Sequence, residues 1–533
     1  MTQIDPRKPS RSRRRRTIVV LALLTPVVVV TVADVVLQVE AGRKLEGAIA
    51  EADLLDPGWR LADLLARRKP VPDDKNPAKR LEVAFRKLPA GWPESSDSLS
   101  FPRFGEPPEP ATAPGSDATQ ASGSYATEAA EPAAGEEPPK LPARGMILFK
   151  ELRKLSPSEP LTDLQDGALR AELEPLREAI AEARTLADTG EGHFDPDFGR
   201  IAIFVLLPHS QHAHAVGELL YLDALRRLQD GDLDGALESS RALLGAGRAL
   251  GDEPVAITQV TRMKMEELAL AVVVRTLARG EASDATLAAL QKQLADEGSR
   301  DLVLTAMRGE RAAYFDTFSR FASGELTPAN LDGADATRSL RANPLAMALF
   351  QRAFYRYNAS LALRLQTLIV EEAKLPLHEQ GRQWYEYDLG IDGGQQTLIQ
   401  RRLGVMVYLV LPLESGFVRK HYGTRAELRS TEVLVALERY RRARGSWPET
   451  LDALVPEYLK SMPRDPFIDA PVRYKRLDDG VSVYGIGFDH TDDGKFHPQH
   501  GVKHGYDSGA RLWDPARRRE MAGVNAQGNS LAQ

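Results

Sequence analysis

Cysteine is absent from all 533 residues, which excludes disulfides, thiolate catalysis and cysteine-ligated zinc or iron–sulfur sites. A chain without thiols can also cross an oxidising compartment without mispairing. Several catalytic signatures are missing as well. There is no HExxH, no GxSxG, no phosphate-cradling P-loop and no GxGxxG, so zinc peptidase, esterase, nucleoside-triphosphatase and dinucleotide readings have no motif to rest on. Positive charge is scarce outside the N-terminus. Of the 69 Lys and Arg, seven lie in the first 16 residues with the single acid Asp5, leaving 62 basic against 74 acidic residues for the rest. An acidic body argues against a nucleic-acid partner, because phosphate contacts need Lys and Arg gathered on one face.

What is present begins with membrane logic. The basic tip (1–16) ends in four arginines, Arg13 to Arg16, and Thr17 to Ala33 follow without a charge. Apolar character continues past Asp34 to Val39, and about 20 apolar residues span a bilayer. Residues 17–39 therefore predict a transmembrane signal anchor, with contact to the membrane over 18–39. The arginines place the N-terminus in the cytoplasm and the bulk outside, at the inner membrane of a cell with a periplasm. The competing readings are a signal peptide cleaved after Ala33 and an apolar helix of a soluble core.

Residues 40–99 read as a short helical region. From 100 to 140 the composition turns to Pro, Ala, Glu, Gly and Ser ("GEPPEPATAPGSDATQASGSYATEAAEPAAGEEPPK" within it). Such a segment buries too little apolar surface to order itself, and it predicts a disordered tether reaching on the order of 35 Å as a coil.

Residues 141–420 predict an α-helical body. Apolar positions recur at helical spacing over 213–230, 233–250, 255–280, 345–373 and between. Gly, Asp or Pro stands at each break, and Asp232, Ser283 and Thr327 are placed as N-caps. Short turns between long helices imply antiparallel hairpins. Gly231, Leu233, Ala236 and Leu237 resemble the opening of one tetratricopeptide repeat, but no second copy keeps the period. Two clusters carry candidate chemistry. His209, His212 and His214 with Glu218 could hold a metal without cysteine, against the plainer reading of a polar helix start. His378, Glu379, Trp384, Tyr385, Glu386, Tyr387 and Asp388 could line a sugar cleft, against ordinary loop packing.

Residues 421–515 change style, and 516–533 predict a disordered tail. A helix through Ala426, Val433, Leu437 and Tyr440 is followed by a second short helix and three strand-like stretches, "VRYKRL", "VSVYGIG" and "ARLWD". Asp478, Asp479 and Gly480 between the first two signal a hairpin. Downstream, Asp489, Thr491, Asp493 and Gly494 follow the oxygen spacing of a calcium loop. His500 stands where an EF-hand needs a carboxylate, so the alternatives are a partial calcium loop or an acidic turn between strands.

One resemblance covers roughly 90 residues. Ala436, Leu437, Tyr440, Gly445 and Pro448 match its first motif, then Leu451, Ala453, Leu454, Val455, Pro456, Tyr458 and Leu459 its second. Pro463, Asp465, Pro466, Pro471 and Tyr474 follow, and then Tyr484, Gly487 and Asp489. This region resembles the globular domain of the major pseudopilins of type II secretion systems. The resemblance implies a helix on a small antiparallel sheet and a calcium site from Asp489, Asp492, Asp493 and Asp507. The full layout is similar to bacterial membrane-anchored proteins with an Ala/Leu-rich helical body.

The expectation is a mainly α protein: an N-terminal transmembrane helix, an irregular, repeat-like helical-hairpin body and a small α+β pseudopilin-like C-terminal domain. Calcium is the one cofactor considered. The expected role is a non-enzymatic, membrane-anchored extracytoplasmic scaffold with protein partners in the cell envelope. The alternatives are an accessory of a type II secretion or pilus-like system, and a cell-envelope hydrolase using carboxylates.

Overall fold

A computed structural model describes residues 11–92, 152–153, 155–196, 207–326, 344–380, 412–487, 490–492 and 507–518. The expected tether 100–140, the cap at Thr327, the cluster from Trp384 to Asp388 and the tail beyond 518 lie outside the described residues. Within them the protein is mainly helical with one small antiparallel sheet.

The helices are α1 (Arg11–Leu55), α2 (Leu61–Arg67), α3 (Pro77–Arg86), α4 (Asp163–Leu173), α5 (Arg177–Arg184), α6 (Pro208–Asp230), α7 (Leu233–Ala249), α8 (Ala256–Arg279), α9 (Asp284–Gly298), α10 (Val303–Ser323), α11 (Pro344–Ala373) and α12 (Pro412–Arg444). Their ends follow local chemistry. Gly231 closes α6 with φ 79°, a left-handed conformation that glycine adopts without a Cβ penalty. The Asp232 carboxylate accepts from Gly235 N at 2.9 Å, and Ser283 Oγ accepts from Thr286 N at 3.3 Å. Both expected caps are present. Close packing also dictates sequence: a Cβ at Gly245 of α7 would lie 1.9 Å from the Leu186 carbonyl oxygen.

The expected apolar segment 17–39 does not stand alone. It is the N-terminal half of α1, a single 45-residue helix. Among the described residues no helix is long and apolar enough to cross a membrane. Beyond Val39, α1 turns Ala41, Ala48 and Ala52 inward, all buried. It packs parallel to α11, with Lys44 Nζ 5.2 Å from the Tyr357 ring and Lys374 Nζ donating to Leu55 O at 2.9 Å. The end of α1 is clamped by charge. Asp56 is buried and accepts from Arg308 at 2.6 and 3.0 Å and from Arg311, whose side chain is fully buried.

At the C-terminus, β1 (Arg473–Leu477), β2 (Gly480–Gly485) and β3 (Ser508–Trp513) form a meander in the order β1-β2-β3. Leu477 pairs with Gly480 around the Asp478–Asp479 turn, as the hairpin signal implied. The second short helix expected after Trp447 is only a 3-10 turn, Leu451–Leu454. Pro456 disfavours helical backbone at Val455 and stops it after one turn. The expected boundary between 420 and 421 falls inside α12. From His421 to Glu438 that helix is buried almost all round, with the sheet on one side and α8 and α9 on the other. One continuous core runs from Leu219 and Val273 of the body to Val481 and Leu512 of the sheet.

Asp56→Asn should destabilise the protein by about 3 kcal/mol in chemical denaturation, because it strands the buried Arg311 guanidinium. An unchanged unfolding midpoint would show that α1 is held by packing alone.

Candidate functional site

Of the sequence-predicted metal residues, Asp492 and Asp507 are described, and both carboxylates act on the Tyr484 hydroxyl. Asp489 and Asp493 lie outside the described residues. Asp492 has both carboxylate oxygens engaged: Oδ2 accepts from Arg473 Nε and Oδ1 from the Tyr484 hydroxyl at 3.1 Å. A guanidinium against the carboxylate disfavours a cation there. Asp507 is buried at the entry to β3. Among the described residues no group of three or more His, Asp or Glu is arranged to hold a metal ion.

The histidines separate in the same way, because α6 turns them to different neighbours. His209 Nε2 lies 2.8 Å from Glu253 Oε2 and stacks on Phe194 at 4.4 Å. His212 Nδ1 lies 2.7 Å from Glu82 Oε1 and stacks on Phe85 at 3.8 Å. His214 is 3.4 Å from Glu218, one turn along its own helix. His209 and His212 thus fasten α6 to two other segments, while His214 pairs within α6 itself.

A larger charged assembly went unseen in the sequence. Arg262 of α8 is buried and donates to both oxygens of Glu191 at 2.9 and 3.1 Å and to Glu297 Oε2 at 2.8 Å. Glu297 of α9 also accepts from Arg248 of α7. Arg425 of α12 donates to Glu266 and to the Glu297 carbonyl. Burial alone would raise the Glu297 carboxyl, but Arg262 and Arg248 outweigh it and hold it down at about 2. Four helices and the segment before α6 thus share one buried ionic network. Arg262 and Glu266 lie four apart on a helix that the fold buries on nearly every face, where charges must be paired.

A second cluster sits where α6, α8 and α12 meet. Glu267 accepts from Lys264 at 3.3 Å and from Lys420. Burial pushes Lys264 down to about 8, whereas the two lysines overcome burial and hold Glu267 near 2. Glu218 is different. Burial raises its carboxyl to about 7 against the pull of Arg153 and Lys264. Burial, with Lys264 and Arg153 adding to it, pushes His214 down to about 4. Glu218 and Lys264 can therefore hold or release a proton near neutral pH. Glu253 is engaged by His209 and Thr258, and Glu297 by arginines.

Comparison with protein-family models, with curated proteins and with solved structures found no match, so function is argued from this chain's own geometry.

Glu218 gives a signed pH dependence. Its folded pKa is above the ordinary 4.5, so its contribution is complete below about pH 4.5 and is lost as pH rises through 7. Between about pH 5.5 and about pH 8.5, Glu218→Gln should gain about 2 kcal/mol relative to the unaltered chain. Urea titrations at both pH values check this, and a difference that does not change with pH overturns the assignment.

Proposed function

We propose that this protein is a membrane-anchored extracytoplasmic scaffold whose helical body offers surfaces to envelope partners. The observation that carries the reading is α1. Its apolar half leaves Val28, Val32 and Val35 exposed at 58%, 57% and 54%, and its second half continues without a break into the body's core. An exposed valine face of this length is stable against acyl chains and unfavourable against water. The uncharged run from Thr17 to Ala33 and the arginines before it support an anchor and its orientation, while the described part of α1 by itself is not long and apolar enough to cross.

Two details support this placement. Contacts near Arg356 and Gly42 set the register of the parallel α1–α11 pair. Asp34 is half-buried and accepts from Gln38 at 2.7 Å, while Val32, Val35 and Val36 around it are exposed. A carboxylate turned away from the apolar face and bonded to a neighbour is the arrangement that membrane helices tolerate.

A second reading, an accessory of a type II secretion or pilus-like system, is favoured by the long helix laid on a three-stranded antiparallel meander. Recovery of pseudopilins with the solubilised protein would support it, and recovery of none would remove it.

The anchor has a direct test. Replacing Val28, Val32 and Val35 by Asp adds about 3 kcal/mol per residue to the insertion free energy near mid-helix, so the triple variant should move from the membrane to the soluble fraction. Release of the unaltered chain by a high-salt or alkaline wash would refute the anchor.

A further inference from the structure

We propose that the groove between α4, α5 and α6 docks an acidic peptide segment of a partner protein, one in which carboxylates alternate with apolar residues. The idea rests on the scaffold reading and names the partner chemistry. The groove encloses a cavity of about 540 Å³. Arg170, Arg177 and Arg184 recur every seven residues along one wall, and Arg226 and Arg227 of α6 face them. Leu173 and Ile180 lie between the guanidiniums. The first wall thus carries cations over 14 residues of near-helical chain, about 20 Å.

Three of the five arginines are held in place from beneath. Asp223 is fully buried and accepts from Arg227 Nε at 2.9 Å, Arg184 Nη1 at 3.1 Å and Arg226 Nη2 at 3.3 Å. Ser239 Oγ adds a further bond at 2.7 Å. One buried carboxylate therefore orients three guanidiniums, each with five N–H donors that it cannot exhaust. Burial opposes ionisation of Asp223, but Ser239 and the arginines overcome it and hold its carboxyl low, so the charge is fixed.

The outer acids are of another kind. Asp230 accepts from Arg226 at 2.8 Å and from Arg170, and Asp232 accepts from Arg227 at 2.6 Å. Their side chains are 34% and 43% exposed, and the Glu174 partner of Arg177 is 62% exposed. Exposed pairs of this sort are weak, so incoming carboxylates can share or replace them through bidentate contacts. With Asp166, these rim acids and Asp223 balance the five arginines in number. Recognition therefore comes from placed donors, not from a bulk positive field. That balance disfavours a continuous polyphosphate, which would meet the rim acids along its whole length. A lone small anion would reach only two of the guanidiniums and would leave the apolar floor empty. An acidic–apolar segment matches both features.

The test uses the full chain in detergent and a dye-labelled peptide of alternating Glu and Leu, read by fluorescence anisotropy. A Gln–Leu peptide of the same length is the neutral control. Binding of the Glu–Leu peptide alone is expected. The double variant R170E/R177E, altered at two exposed positions, should weaken it about tenfold or more with an unchanged Tm. The variant K69E/K75E carries the same charge change away from the groove and should leave it unaltered. Equal affinity for R170E/R177E and the unaltered chain overturns the proposal. Equal weakening by K69E/K75E overturns it in favour of diffuse attraction, and full displacement by inorganic phosphate in favour of a small-anion site. The membrane-released triple valine variant should bind as the unaltered chain does, so a failure of docking is distinguishable from a failure of the anchor.

Discussion

The structure depends on a buried exchange of charge centred on Arg262 and Glu297. Removing a guanidinium from water is costly, and only partners with good geometry offset it. Here the partners come from elements far apart in sequence: Glu191, Arg248 and Arg425 converge on the same two residues. A helix pair held by apolar contact alone can slide by a turn at modest cost, whereas a shared ionic network admits one register. The network therefore specifies how α7, α8, α9 and α12 meet more than it adds to stability.

Specification of this kind explains why the C-terminal sheet is not a separate bead on the chain. Arg425 commits α12 to the body, and a few turns later Val433, Leu434 and Leu437 of the same helix are buried in the core shared with β2 and β3. Glu438 then binds Arg518 just beyond the sheet, at 3.0 and 2.6 Å. The clamp at the other end works alike. Asp56 joins α1 to α10 through Arg308 and Arg311, so the apolar half of α1 leaves the body at a set angle. In both places one acid, closed off from water, ties a terminal region to the centre.

Much of this was legible in the sequence, and the reason is local. The caps at Asp232 and Ser283, the break at Gly231 and the Asp-Asp-Gly hairpin are decided by a residue's own backbone and the next turn. The helix spans over 213–230, 233–250, 255–280 and 345–373 follow from apolar spacing for the same cause. The short helix after Trp447 was over-read, because apolar spacing said helix while Pro456 set the limit. What could not be read was everything that joins distant residues. Nothing near Arg262 announces Glu191 or Glu297, and the arginines at 170 and 184 acquire meaning only when α6 brings Asp230 against the first and Asp223 beneath the second. Closeness in sequence does not gather the histidines, since helical rotation sends His209 to Glu253 and His212 to Glu82 and leaves His214 beside Glu218 of its own helix.

A helix buried on both sides also constrains where a partner can approach. Between His421 and Glu438, α12 has no free face, so nothing can dock on it without displacing the sheet or the body, each at the expense of core contacts worth roughly 1.5–3 kcal/mol per buried aliphatic side chain. The outer edge of β1 is open in principle, but it carries Arg473, Lys475 and Arg476, and charged residues on an edge discourage strand addition. That leaves surfaces where side chains are ordered yet solvent still reaches them. The groove beside Asp223 meets that condition: its guanidiniums are held from below by a buried acid and closed from above only by exposed ones. An interaction protein built around a rigid ionic centre is expected to place its recognition at such a margin, where an incoming carboxylate replaces a weak contact and leaves the strong ones intact.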